Sequence, residues 1–326
     1  MITSFKSISV FYISGYLISL SASLFPFPPL GKIPYNGGVV KFITDIGFCS
    51  GVTSAVRKRE EEGKGKTVFL VHPLRHNKEE NDRLRKERNA SLLTNDILSF
   101  PFRKNSLLVF SAHGAPKPER EKAEKRGIPF LLTTCPIILS RLKERKEANH
   151  GEILFYAGKK DHPETLSFLS EWKKAFYLNP DNDFSLPSSL KEGKGKPALL
   201  FTQSTLGEKE TDRAKKKISS NGYSLDYVSP SCPVFSSRLH RALAFLKGKE
   251  KENFSFAVLG DKTSSNARAL FSARKERFPS HKGYFLSSPK DVEKEKRSFQ
   301  DLYLLSSTSL SRGAARKIYS KLLELA

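Results

Sequence analysis

The chain reads as an α/β protein assembled from three similar units. Two observations predict this. Strand-like apolar runs alternate with helical patterns from about residue 39 onward, the pattern of layered α/β structure. In addition, Cys49, Cys135 and Cys232 each stand where such a run gives way to a helical pattern. A length of 326 residues suffices for two or three such units with a sizeable core. Unit boundaries are expected at 39–134, 135–230 and 231–326.

Residues 1–38 differ from the rest. They carry no acidic residue, and Ile8 to Phe25 is a serine-studded apolar stretch after Lys6. The segment reads as an extension outside the fold. The alternatives are a signal peptide with Ser21-Ala22-Ser23 at its cleavage site, an interfacial anchor, or an over-extended start.

The cysteine units come next. Cys49 follows Val39-Val40-Lys41-Phe42-Ile43 and precedes the helical set Val52, Ala55, Val56. Cys135 follows Ile128-Pro129-Phe130-Leu131-Leu132 and precedes Ile137, Ile138 and Leu142. Cys232 follows Leu225-Asp226-Tyr227-Val228 and precedes Val234, Leu239, Ala242, Leu243 and Leu246. Pro136 and Pro233 suit a first helical position, with Thr134 and Ser231 as candidate N-caps. A thiol at a helix start meets the positive end of the helix dipole, which favours thiolate. Three cysteines without close spacing do not make a disulfide framework, and no zinc-type ligand spacing is present. Three thiolates on an iron–sulfur cubane, leaving one iron open, fit better.

Between the cysteines, strand-like runs end in short polar motifs. Thr67–Val71 leads to His72-Pro73-Leu74-Arg75-His76-Asn77, and Leu107–Phe110 to Ser111-Ala112-His113-Gly114. Ile153–Tyr156 leads to His162-Pro163-Glu164, and Ala198–Phe201 to Thr202-Gln203-Ser204-Thr205. Phe254–Leu259 leads to Thr263-Ser264-Ser265-Asn266, and Leu302–Leu305 to Ser306-Ser307-Thr308-Ser309. Ligands of open α/β sheets bind beyond the carboxyl ends of strands, so these motifs are the candidate site. One cysteine strand followed by two motif strands, three times over, suggests units meeting at a common centre.

His76, His113 and His162, with Ser264, Ser265, Asn266 and Ser309, form a polar, partly cationic set suited to phosphate oxygens. His72, inside its strand end, fits packing or a supporting contact behind the site instead. Glu164 is the one acidic group tied to a strand-end motif, and burial would raise its pKa into the range of a proton donor. Ser204 and Thr205 offer hydroxyls for a proton relay or caps for a helix beginning near Gly207. No Walker loop or G-x-G-x-x-G fingerprint occurs. The net charge of +22 lies largely in mixed-sign runs such as Arg57-Lys58-Arg59-Glu60-Glu61-Glu62, which read as solvated helix faces.

In this order, G-F-C-S-G-V, L-R-H-N, S-A-H-G, T-T-C-P, H-P-E, T-Q-S-T-L and S-S-N resemble the 4-hydroxy-3-methylbut-2-enyl diphosphate reductases of the LytB type, over about residues 40–320. The resemblance implies three pseudo-symmetric α/β domains in a trefoil arrangement around a central iron–sulfur site. It implies one [4Fe-4S] cluster per chain, held by Cys49, Cys135 and Cys232 with one open iron. His76, His113, Ser264, Asn266 and Ser309 would hold the diphosphate, with Ser265 and His162 in the same pocket. Glu164 would supply protons, and Ser204 stands where the family has a threonine. The implied reaction is reductive dehydroxylation of the allylic diphosphate to isopentenyl and dimethylallyl diphosphates. Ferredoxin or flavodoxin would be the electron donor. A cytoplasmic protein with neither nucleic-acid nor membrane partners is expected.

Four positions depart from the family pattern. Leu132 replaces an aspartate, Asp161 replaces a glycine before H-P-E, and Phe235 and Leu239 replace a threonine and a glutamine. Leu305-Ser306-Ser307-Thr308-Ser309 replaces a glycine-rich T-A-G-A-S segment. These changes are expected mostly beside the ligands, not among them. Two other readings stay open: a diverged cluster-bearing paralogue with another phosphorylated allylic alcohol as substrate or no activity, and a basic nucleic-acid-binding protein.

Overall fold

Alternation of apolar runs and helical patterns becomes thirteen strands and nine α-helices among the described residues of the computed structural model. Those residues are 33–35 and 38–325, apart from 73–81, 83–89, 94–95, 148–150, 189, 191–192 and 296–300. His76 and its motif neighbours from Pro73 to Asn77 therefore lie outside them, whereas His72 lies within. In chain order, β1 (Ile33–Tyr35), β2 (Gly38–Phe42) and α1 (Ser50–Glu62) come first. Then follow β3 (Thr67–Leu70), β4 (Ala90–Leu92), β5 (Ser106–Phe110), α2 (Lys117–Lys125) and β6 (Phe130–Leu132). After α3 (Pro136–Glu147) come β7 (Ile153–Ala157), α4 (Pro163–Glu171), β8 (Phe176–Leu178), β9 (Pro197–Thr202), α5 (Glu208–Ser220) and β10 (Ser224–Val228). The chain continues through α6 (Pro233–Leu246), β11 (Phe254–Leu259), α7 (Ser265–Arg277) and β12 (Gly283–Leu286). It closes with α8 (Pro289–Glu295), β13 (Asp301–Ser306) and α9 (Arg312–Glu324).

These strands form three sheets, β4-β3-β5-β6, β10-β9-β7-β8 and β1-β2-β13-β11-β12. All pairings are parallel except β1 with β2. Parallel strands need cover on both faces, and the central strands comply: β5 and β11 are buried along their whole length. The third sheet shows how this is done. On one face Val40, Ala257, Leu259 and Leu304 pack against Ile318. On the other, Phe256, Val258 and Leu305 pack against Leu246 and Leu270.

Every strand predicted from the cysteine and motif runs is present, but the grouping differs. In each sheet the cysteine strand is bonded to the motif strands that precede it in the cycle, not to those that follow. Thus β6, ahead of Cys135, pairs with β5, and β10, ahead of Cys232, pairs with β9. The strand ahead of Cys49, β2, pairs with β13 near the end of the chain, Leu302 opposite Val40. A first unit drawn from residue 39 therefore wrongly includes β2, which completes the third sheet. The expected extension through residue 38 is also too long, since Ile33–Tyr35 pairs antiparallel with β2. Local pattern identifies a strand; which neighbour it joins is set by long-range crossovers.

The helix after each cysteine then leaves its own sheet for the next. Leu142 of α3 packs on the Tyr156–Phe201 cluster of the second sheet. Phe235, Leu239 and Leu246 of α6 pack on the third. Gly63, which caps α1, abuts Val68 of the first sheet so closely that a Cβ there would stand 2.8 Å from the valine methyl. Each cysteine consequently sits at a hand-over between two sheets, which is why thiols far apart in sequence meet. Among the described residues no helix is long and apolar enough to cross a membrane.

Candidate active site

The helices start at Pro136 and Pro233, as the sequence reading has them, but the cap moves by one residue. With Pro233 as the first helical residue, Cys232 itself is the N-cap of α6, in place of Ser231. Cys49 is likewise the N-cap of α1, its Sγ accepting from the Val52 amide at 3.5 Å. Cys135 immediately precedes α3 and donates its own amide to Ala112 O at 2.9 Å. The three thiols lie within one another's field: the charges of Cys49 and Cys232 both act on Cys135.

The helix-start amides favour thiolate, as expected, but burial outweighs them. It pushes the Cys135 thiol up to about 11 against the pull of the Ile137 and Ile138 amides. Cys232 is also raised by burial, against the amides of Phe235 and Val234. Metal binding at such thiols displaces their protons. Among the described residues no three His, Cys, Asp or Glu side chains stand close enough to hold a single ion. Thiols held apart yet in mutual range suit a cluster of several irons. Gly51 makes room for one of these thiols: a Cβ there would stand 2.5 Å from Cys135 Sγ. The donor set and its cradle fit an iron–sulfur cluster.

Two buried arginines brace the hand-overs. Arg238 of α6 donates to Ser306 O at 3.1 Å and to Gly47 O at 2.7 Å, two residues before Cys49. Arg141 of α3 donates to Thr202 O at 3.1 Å and to Pro230 O, two residues before Cys232. Both follow a C-P-x-x-x-x-R spacing that is legible in the sequence at Cys135 and Cys232 and that motif reading passed over. At the remaining hand-over Ala55 occupies the arginine's place. There Thr133, two residues before Cys135, donates its hydroxyl to Phe110 O at 2.5 Å.

Beside Cys49 lies a narrow cavity lined by Val52, His113, His162, Thr205, the N-terminal turn of α7 and the loop after β13. It gathers every sequence-predicted binding residue that the structure describes: His113, His162, Ser264, Ser265, Asn266 and Ser309. Ser264 is the N-cap of α7, accepting from Ala267 N, so the positive end of the helix dipole faces the cavity. Asn266 Nδ2 donates to Thr308 Oγ1 at 2.6 Å, while its buried Oδ1 has no partner among the described residues. Ser307 and Ser309 share a hydroxyl hydrogen bond of 2.8 Å. The rings of His113 and His162 meet edge to face, centroids 5.1 Å apart. Thr308 and Val52 were not singled out beforehand; Thr308 adjoins Ser309, and Val52 carries only an apolar helical signal. His72, set aside as a packing residue, pairs with Glu119 at 3.0 Å.

Glu164 is buried in the first turn of α4, where His162 is the N-cap and accepts from the Glu164 amide at 3.3 Å. Its carboxyl receives two hydrogen bonds from Ser204, from the amide at 2.8 Å and the hydroxyl at 2.7 Å. Burial raises its pKa, against Arg141 and these two bonds, as the motif reading expected. Ser204 and Thr205 are not helix caps: Gly207 caps α5, and Thr205 Oγ1 accepts from Gln203 Nε2 at 2.8 Å. The Ser204 carbonyl in turn accepts from Cys232 N at 2.9 Å, tying the acid to the sulfur side. Of the departures, Phe235 and Leu239 are buried in the apolar cluster of the third sheet. Leu132, the last residue of β6 and three residues before Cys135, is 43% exposed.

Three largely parallel sheets with a cysteine at each hand-over, and an anion-suited cavity beside a buried carboxyl, define an α/β protein with its polar site at the strand ends. The chain belongs to the LytB family: residues 40–323 match the family described as LytB protein. It is 26% identical over 295 residues to the 4-hydroxy-3-methylbut-2-enyl diphosphate reductase of Treponema denticola, covering 88% of this chain and 99% of that one. It is 27% identical over 229 residues to the reductase of the same name from Chlamydia trachomatis, covering 69% and 71%. In fold it is similar to the solved E-1-hydroxy-2-methyl-but-2-enyl-4-diphosphate reductase of Plasmodium falciparum. The TM-score is 0.72, with 21% identity and 87% of each chain covered.

Proposed function

We propose that this chain reductively dehydroxylates 4-hydroxy-3-methylbut-2-enyl diphosphate to isopentenyl and dimethylallyl diphosphates, consuming two electrons and two protons and releasing water. Membership of the LytB family and relatives bearing that reductase name support the reaction. One structural observation carries it to residues. A single cavity beside Cys49 collects His113, His162, Ser264, Ser265, Asn266 and Ser309 from strand-end motifs.

In this reading Ser264, Ser265, Asn266 and Ser309 donate to the diphosphate at the start of α7, with His113 as a cationic or neutral donor. His76 completes this set by the family resemblance, and His162 borders the same cavity. Cys49, Cys135 and Cys232 hold a [4Fe-4S] cluster, which supplies single electrons and a Lewis-acidic open iron when bound. Glu164 delivers protons to the leaving hydroxyl and the carbon skeleton, with Ser204 relaying through its hydroxyl. An acidic one-electron carrier of the ferredoxin or flavodoxin kind complements a chain of net charge +22.

Anaerobic isolation followed by assay with the substrate and a strong reductant tests the reading. A brown protein with about four irons that turns over the diphosphate supports it. Iron without turnover indicates the diverged paralogue, and an iron-free protein with salt-sensitive RNA binding indicates the nucleic-acid reading.

A further inference from the structure

Arg141 and Arg238 stand at the same distance from their cysteines and make the same pair of backbone bonds, yet their surroundings differ. Arg238 senses Asp45, which is exposed and already pairs with Arg241 at 2.7 Å. Arg141 meets a carboxylate as buried as itself: its Nη1 lies 3.6 Å from Glu164 Oε1, with side chains 6% and 5% exposed. We propose that Arg141 is a positioning residue for Glu164, its guanidinium anchored on Thr202 O and Pro230 O so that the carboxyl is aimed at Ser204 and its charged form is paired. The inference rests on the reading of Glu164 as proton donor.

The physical argument is one of balance. Glu164 has left water, which disfavours its charge. The groups that face it are Arg141 from α3, Tyr156 from β7, Ser204 from the loop after β9, and His162 from its own helix start. Of these, Arg141 is the largest influence holding the carboxyl pKa down, and Ser204 is next. Without the arginine the carboxyl would keep its proton, and the anion left after each transfer would lack a counter-charge. The same guanidinium binds the loop two residues before Cys232, so the acid is held in register with the sulfur side. A fixed guanidinium does this better than a flexible ammonium, although either supplies the charge.

The test compares Arg141→Met and Arg141→Lys with the wild type as anaerobically isolated, cluster-bearing protein. The carboxyl infrared band, identified by subtracting Glu164→Gln, is titrated alongside iron content, visible spectrum, kcat and KM. Arg141→Met is expected to keep KM within about twofold, because the arginine does not line the diphosphate cavity. Its carboxyl titration should move up by about one pH unit or more, and kcat at neutral pH should fall about tenfold. Arg141→Lys should return the titration toward the wild type. If Arg141→Met loses its iron, Arg141→Gln, which keeps donors for the carbonyls without the charge, takes its place in the titration. An unmoved carboxyl band in the charge-free variant, or a lysine variant displaced as far as methionine, overturns the proposal. The titration reads Glu164 even if the wild type proves inactive, so failure of the reductase reading and failure of this one are separable.

Discussion

The hand-over at Cys135 and the hand-over at Cys232 perform one task with different means. Before Cys232 and before Cys49, the carbonyls of Pro230 and Gly47 are held by a buried arginine from the preceding cysteine helix. Before Cys135 the arginine is missing; Ala55 leaves the space, and Thr133 satisfies the strand-end carbonyl of Phe110 with a short neutral hydroxyl. Close packing at that place is carried by Gly51 against Cys135 instead. A charged donor reaches two carbonyls and links two loops, but it must be satisfied in a dry interior. The contrast shows pseudo-symmetry keeping geometry while letting chemistry vary, and Glu164 sits where a charge was already present to pair with it.

Removing a thiol should erase the hand-overs' common purpose and give the largest effect. Cys135→Ser is expected to lose the cluster, read as iron content and visible absorption; an unchanged spectrum would remove Cys135 from the ligand set. Next, Glu164→Gln keeps the shape of the acid beside Arg141 and should retain the cluster while turnover falls by about 100-fold or more. A wild-type rate in that variant would break the assignment of the proton donor. Arg238→Met removes two charge-assisted donors and should cost about 3 kcal/mol in chemical denaturation. Thr133→Val, at the hydroxyl version of the same bond, should cost about 1 kcal/mol. If these two variants are equally unstable, the arginine and the hydroxyl are not the unequal braces described above.

Much of the architecture could be read along the chain. The strands before the cysteines and before the six polar motifs are local events, set by apolar runs that end in proline, serine or glycine-rich turns. The short strands β4, β8 and β12 escaped notice, because three or four residues at a sheet edge leave little periodicity. The helix caps were missed by one residue, since proline at the first helical position makes the cysteine itself the cap. Candidate site residues were legible because strand ends of parallel sheets are where ligands bind. Arg141 was hidden for the opposite reason: it lies among apolar helix positions, where a charge reads as solvated until a buried carboxylate is found opposite it.

Sequence alone was enough for the α/β class, the threefold rhythm, the cysteine trio and the identity of the polar motifs. These follow from nearest-neighbour chemistry: side-chain period, turn residues and donor type. Only the folded chain decided that β2 closes the third sheet, that burial overrides the helix dipole at Cys135 and Cys232, and that Arg141 answers Glu164. Those outcomes depend on desolvation and on partners far apart along the chain, such as Val40 and Leu302, and neither quantity is written in any local stretch of sequence.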